Sequence, residues 1–167
     1  LQEIEALYRR RGLRPCFRLP SFIDPGIQRA LETAGYTAEA ETLTLLAALC
    51  EGAAAADPQV ELCPWPSPEW LEAKARLSAF PEAQADIYRR AVRRLAVPAA
   101  FAALRQEDTI DAVAYGALHG RLLCLESVVT DPRHRGKGLG RKLLGALFHW
   151  AASEGARSAC LQVQADN

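Results

Sequence analysis

The segment Arg133–Lys142, RHRGKGLGRK, sets three glycines (Gly136, Gly138, Gly140) among five cations (Arg133, Arg135, Lys137, Arg141, Lys142). That pattern suits an anion. A residue without Cβ lets the main chain come close to a ligand and reach conformations other residues avoid. The run LLCLESVVT before the bend reads as a strand, and Leu139, Leu143 and Leu147 after it recur at helical spacing. A strand-to-helix bend leaves unpaired N–H groups at the positive end of the helix dipole, where a pyrophosphate can sit. Two common phosphate loops do not fit: GxxxxGK[ST] and GxGxxG, counted from Gly136, both require glycine where Arg141 stands.

Glu126 is the other chemical candidate. It shares strand parity with Cys124 and Val128 and interrupts an apolar face, which suits either a base or a carboxylate paired with an arginine. Ser127 should face the opposite side with a backbone bond. His119 reads as a turn residue, His134 as solvated, and His149 as lying on an exposed helix face. Trp65 and Trp70 default to core packing. The five cysteines form no CxxC pair and read as reduced core residues, and no metal-ligand or Ser-His-Asp constellation emerges.

The elements that must position these residues follow from periodicity and caps. Helices are expected over 1–11 with Gly12 as C-cap, after Asp24 with Pro25 at N1, after Ser67 with Pro68 at N1, over 82–95, and over 138–154. Arg89, Arg90, Arg93 and Arg94 then form a solvated helix face. Strands are expected for CFRL (16–19), for ETLTLLAAL (41–49) as a buried strand, for 59–63, and for SACLQVQ (158–164). A three-run antiparallel meander should span 99–132. The alanine-rich stretch 51–57 reads as a linker.

The 167 residues carry 20 basic and 20 acidic side chains, so no broad positive field exists to gather nucleic acid or an anionic membrane surface. With no long apolar run and no signal-peptide pattern, a cytoplasmic protein is expected.

The segment VVTDPRHRGKGLGRKLLGAL resembles motif A of the GNAT superfamily of N-acetyltransferases, [Q/R]-x-x-G-x-[G/A] after a strand. The match begins at Arg133 or at Arg135. The element order from about 57 to 167 resembles that fold as well. The resemblance implies an α/β (α+β) fold with a mixed central sheet, an antiparallel meander and flanking helices, and acetyl-CoA as cosubstrate without a metal. It implies a bulged strand whose Val128 and Val129 backbones hold the pantetheine arm. Residues Arg135, Gly136, Lys137, Gly138, Leu139, Gly140 and Arg141 would wrap the pyrophosphate. Asn167 matches an asparagine often found after the next strand. The Val129 N–H would stabilise the oxyanion and Glu126 would act as base. Members continue into a helix whose tyrosine protonates the thiolate, whereas this sequence stops at Asn167.

Residues 1–50 parallel the rear half of such a domain, since LYRRRGLRPCFRL runs like WAASEGARSACLQV, so CFRL and ETLTLLAAL are expected to form a partial sheet of their own. The expected organisation is therefore a partial, degenerate GNAT-like unit at 1–50, a linker at 51–57, and at 58–167 an acetyl-CoA-binding domain without its C-terminal helix and strands. The implied activity is acetyl transfer to a primary amine, with a small molecule or peptide as acceptor and without nucleic-acid or membrane partners. The rival is a noncatalytic acyl-CoA-binding regulatory module. The identity of the amine and the oligomeric state, a homodimer included, stay open.

Overall fold

The computed structural model describes residues 1–49, 57–106 and 108–165. The expected linker, apart from Asp57, lies outside them, as do Cys50 and Asn167. The chain divides into two compact units, Leu1–Glu41 and Thr42–Asn167.

The first unit holds α1 (Gln2–Arg10) and α2 (Pro25–Thr33). Gly12, with φ +65°, turns the chain out of α1, and the Leu13 N–H closes onto Tyr8 O. The α2 start follows its cap, Asp24 accepting from the Gly26 N–H at 2.7 Å. The expected strand at 16–19 does not form. Phe17 instead meets Tyr36 edge-on at 5.3 Å, and the Tyr36 hydroxyl donates to Glu5 at 2.8 Å, so these residues pack as loop within the unit.

The second unit is a six-stranded sheet in the order β1-β6-β5-β4-β3-β2. Its strands are β1 (Thr42–Ala48), β2 (Val60–Cys63), β3 (Ala99–Gln106), β4 (Thr109–His119), β5 (Leu122–Thr130) and β6 (Ser158–Gln164). Every neighbouring pair is antiparallel except β5 and β6. Two expectations are corrected here. The strand at 42–48 builds no partial sheet with residues 16–19, because it pairs with β6 from Thr42–Gln164 to Ala48–Ser158. It is also exposed along its whole length, since it forms the sheet edge beyond the helices. Its contribution is backbone pairing that satisfies the open edge of β6.

Helix α5 (Leu139–Ser153) covers one face of the sheet. Leu139, Leu143, Leu147 and Ala151 are buried there against residues of β3, β4 and β5. Gly116 in β4 belongs to this packing, because a Cβ would come within 2.6 Å of Leu123 Cδ1. Helices α3 (Pro68–Leu77) and α4 (Glu82–Val92) belong to the other face, where Trp70, Val92 and Phe101 are buried. The α3 start is set by Ser67 Oγ accepting from the Trp70 N–H at 3.1 Å. Trp70 fulfils its core role and donates from Nε1 to Ala102 O at 2.9 Å, whereas Trp65 is 67% exposed. None of the described cysteines lies in the sealed core: Cys16 is exposed, and Cys63, Cys124 and Cys160 are half-buried free thiols.

Removing the Leu147 side chain, fully enclosed between α5 and the sheet, should destabilise the fold by about 2–5 kcal/mol. Arg90→Ala, on the exposed face of α4, should leave the unfolding midpoint nearly unchanged. Urea unfolding of the two variants checks both.

Candidate active site

Parallel pairing of β5 with β6 runs from Leu122–Ser158 to Leu125–Leu161 and stops, although β5 continues to Thr130 and β6 to Gln164. On its other side β5 stays paired with β4, but the register shifts: Val113 faces Val129 and Tyr115 faces Glu126. Ser127 and Val128 together therefore oppose Ala114, which is a bulge. Ser127 takes φ +59°, a conformation that costs a non-glycine residue about 1 kcal/mol. Past Leu125, the side of β5 toward β6 thus presents backbone groups with no strand beside them. Val128 is 42% exposed there, and Val129 packs against the α3 side of the core.

The bend after β5 is a short 3₁₀ turn (Pro132–His134) followed by the opening of α5. Gly136 (φ +75°) and Gly138 (φ +79°) sit in the left-handed region, which fixes glycine at both. Gly140 differs, because its φ is ordinary and a Cβ would meet nothing within 4 Å. The fold does not require glycine at that position; close approach of a ligand would. Among the described residues, no protein acceptor takes the N–H groups from Gly136 to Arg141.

The five cations of this segment separate into two sets. Lys142 is held by Asp57 at 3.1 Å and Gln59 at 2.6 Å. Arg133 donates to both oxygens of Asp131, from Nε at 3.0 Å and Nη2 at 2.7 Å. Arg135, Lys137 and Arg141 are exposed and have no carboxylate partner among the described residues. Positive charge without an internal partner is thus confined to the stretch whose N–H groups are free.

The foot of the bend is anchored. Asp131 accepts from the Arg133 N–H at 2.9 Å, and its own N–H donates to Asp111 O at 2.8 Å. Hydrogen bonds from the Arg133 side chain, then from its backbone, hold the Asp131 carboxyl well below the usual carboxylate range. His134 is not simply solvated, as its sequence context suggests: its Nδ1 lies 2.6 Å from Oδ2 of Asp111, which is 1% exposed. Thr109 donates to the other Asp111 oxygen at 3.0 Å. Asp111 and Thr109 lie far upstream of the glycine segment in the sequence, which therefore carried no local signal for the His134–Asp111 contact.

On the α3–α4 face, the bulge brings together residues that strand parity separates. Ser127 does not turn away from the Glu126 side: its Oγ lies 2.7 Å from the Tyr88 hydroxyl on α4. Burial pushes Tyr88 up to about 12, so its phenol stays protonated. Glu126 is exposed opposite Tyr115, and its charge acts on Lys74, Tyr88 and Tyr115. Tyr88, Tyr115 and Lys74 were not singled out by sequence reasoning, since each looks like an ordinary helix or strand residue until the bulge places Ser127 beside them. The expected Asn167 contact lies outside the described residues. His119 is exposed at the end of β4, and His149 on the outer face of α5. A separate cavity of about 250 Å³, lined by residues that include Trp65, Arg93 and Phe101, opens near the start of β3, at the opposite end of that strand from the glycine bend.

A family model described as "Probable histone acetyltransferase Rv0428c C-terminal" matches residues 1–167. The uncharacterized N-acetyltransferase YobR of Bacillus subtilis is 25% identical over 170 residues, covering 99% of this chain and 68% of YobR. A GCN5-related N-acetyltransferase from Sphaerobacter thermophilus superposes with a TM-score of 0.62 at 18% identity, over 85% of this chain and 48% of that one. AAC(6')-Iy, in complex with a CoA-based bisubstrate analogue, superposes with a TM-score of 0.51 at 13% identity, over 65% of this chain and 82% of that one.

Because the folded state depresses the Asp131 carboxyl, this group stabilises the fold above the ordinary carboxylate pKa, about pH 4, and loses that contribution as pH falls below it. The melting temperature of Asp131→Asn should therefore lie below wild type at neutral pH, with the gap narrowing in acid. A gap independent of pH between 7 and 3 would contradict the anchor.

Proposed function

This chain belongs to the family described as "Probable histone acetyltransferase Rv0428c C-terminal", a GNAT-type N-acetyltransferase, and from that premise we propose that it moves the acetyl group of acetyl-CoA to a primary amine by direct attack. The observation that carries this reading is the glycine bend, where N–H groups from Gly136 to Arg141 and the cations Arg135, Lys137 and Arg141, all without protein partners among the described residues, coincide at the end of a bulged strand. The site suits a diphosphate with an extended arm: the diphosphate at the helix start, the arm along the free edge of β5.

Acetyl-CoA, when bound, supplies an acetyl group activated as a thioester. The chain's residues do the rest. Backbone groups at Val128 and Val129 orient the arm, and the Val129 N–H faces the oxygen that gains charge as the amine attacks. The amine must be neutral to attack, so a group has to accept its proton. Glu126, exposed at the bulge, does so directly or through water. The C–N bond forms first, with charge on the carbonyl oxygen; re-formation of the carbonyl then breaks the C–S bond, and CoA departs as thiolate. Support for Glu126 as base is positional, since it is the carboxylate on the α3–α4 face that borders the bulge.

Three variants test the reading. Gly140→Ala suits a helix better, by up to about 1 kcal/mol, so it should keep or raise stability while weakening CoA binding in calorimetry. Gly138→Asp adds negative charge at the helix start and should abolish CoA binding; unchanged affinity would refute the pyrophosphate assignment. Glu126→Gln should lower kcat at neutral pH by about 100-fold with CoA affinity nearly intact. CoA binding without thiol release on any amine would favour the noncatalytic acyl-CoA module instead.

A further inference from the structure

Lys74 on α3 is only 8% exposed, yet among the described residues no carboxylate lies within ion-pair distance of its ammonium. Its Nζ donates to Ser78 Oγ at 2.8 Å and stands over the rings of Phe80 (5.3 Å) and Tyr88 (5.7 Å). An ammonium has three protons to donate, and a neutral hydroxyl with two ring faces offers no countercharge. Buried charges are normally paired, because removal from water disfavours the charged form. Burial accordingly pulls the Lys74 pKa down, with the more distant Glu126 partly restoring it. Lys142, which is less enclosed, does have its carboxylate, Asp57.

The position of this cation gives it a use. Tyr88, over which Lys74 stands, is bonded to Ser127 on the bulge, and Glu126 is the next residue along β5. The ammonium is therefore linked through Tyr88 to the bulge, within electrostatic reach of Glu126. We propose that Lys74 binds an anionic group of the acceptor, so that the acceptor is an amine that also carries a carboxylate or a phosphate. The two ends of such a molecule match the two charges present: the anionic end completes Lys74, and the amine end lies toward Glu126. A lysine with a purely structural role, anchored by Phe80 and Tyr88, would be indifferent to acceptor charge.

The inference rests on the acetyl-transfer reading, and its test separates the two. Thiol release is measured on matched pairs, an α-amino acid against its carboxamide and an amino-sugar phosphate against the unphosphorylated amino sugar. Binding of the same amines to the protein saturated with CoA is measured in parallel and needs no turnover. Wild type should prefer the charged member of one pair by about tenfold or more, the discrimination of a charge-assisted contact. Which pair responds identifies carboxylate or phosphate. Lys74→Met should bring the ratio close to one, and Lys74→Arg, which keeps the charge, should preserve it. Equal efficiency on both members of both pairs in wild type, or a preference retained in Lys74→Met, overturns the role of Lys74. Failure to bind CoA, or absence of thiol release with every amine, overturns the acetyl-transfer reading itself and is registered separately.

Discussion

The end of β5–β6 pairing at Leu125–Leu161 is the constraint from which the site follows. A parallel pair that continued would satisfy the backbone of β5 on both sides and leave nothing for a ligand. Here β4 remains paired with β5, so the strand stays fixed on one side and open on the other. The bulge at Ser127–Val128 adds a residue to β5 alone, which increases local twist and changes which face successive side chains occupy. The positive φ of Ser127 is a local cost. What it accompanies is the approach of Ser127 to Tyr88 and the position of Glu126 beside them, an arrangement regular alternation does not give.

Charge is distributed in keeping with that opening. Asp131 neutralises Arg133, Asp57 neutralises Lys142, and His134 lies against the buried Asp111 at the foot of the bend. These contacts hold the start of the segment and its second helical turn, so the intervening stretch is positioned without its own polar groups being consumed. Preorganisation of this kind reduces the ordering a ligand must impose on binding. The cations without a carboxylate partner among the described residues are a local feature of a chain whose formal net charge is zero. On the proposed reading, selectivity for an anion depends on where partners are missing among the described residues, and the overall charge contributes little.

The parts legible in the sequence are those set by short-range chemistry. Asp24–Pro25 and Ser67–Pro68 mark helix starts, Gly12 marks a stop, and the leucine stripe of α5 faces the sheet. The glycine bend was readable because its strand, turn and helix are contiguous. Long-range pairing was not. Residues 42–48 look like a core strand by composition, but their place is set by the free edge of β6 more than a hundred residues later, and nothing local says that both their faces stay exposed. Residues 16–19 fail as a strand for the complementary reason: the partner assumed for them is taken by β6. His134 and Ser127 were misjudged because a buried aspartate and a bulge, both products of tertiary structure, decide what they touch.

On the proposed reading, the glycine bend and Lys74 present positive charge in different ways. At the glycine bend the free groups are backbone N–H donors and exposed side chains, still solvated, so a ligand replaces water and the empty site carries little penalty. At Lys74 the charge is already out of water and lies against aromatic rings, so the penalty exists before any ligand arrives. A solvated set of cations suits a cosubstrate that must be released after every turnover. A desolvated cation suits discrimination, because a neutral acceptor leaves it unpaired whereas an anionic one completes it. On the proposed reading the cosubstrate is held by groups contiguous in the sequence, whereas acceptor choice falls to side chains on α3 and α4 that no motif in β5 or the bend encodes.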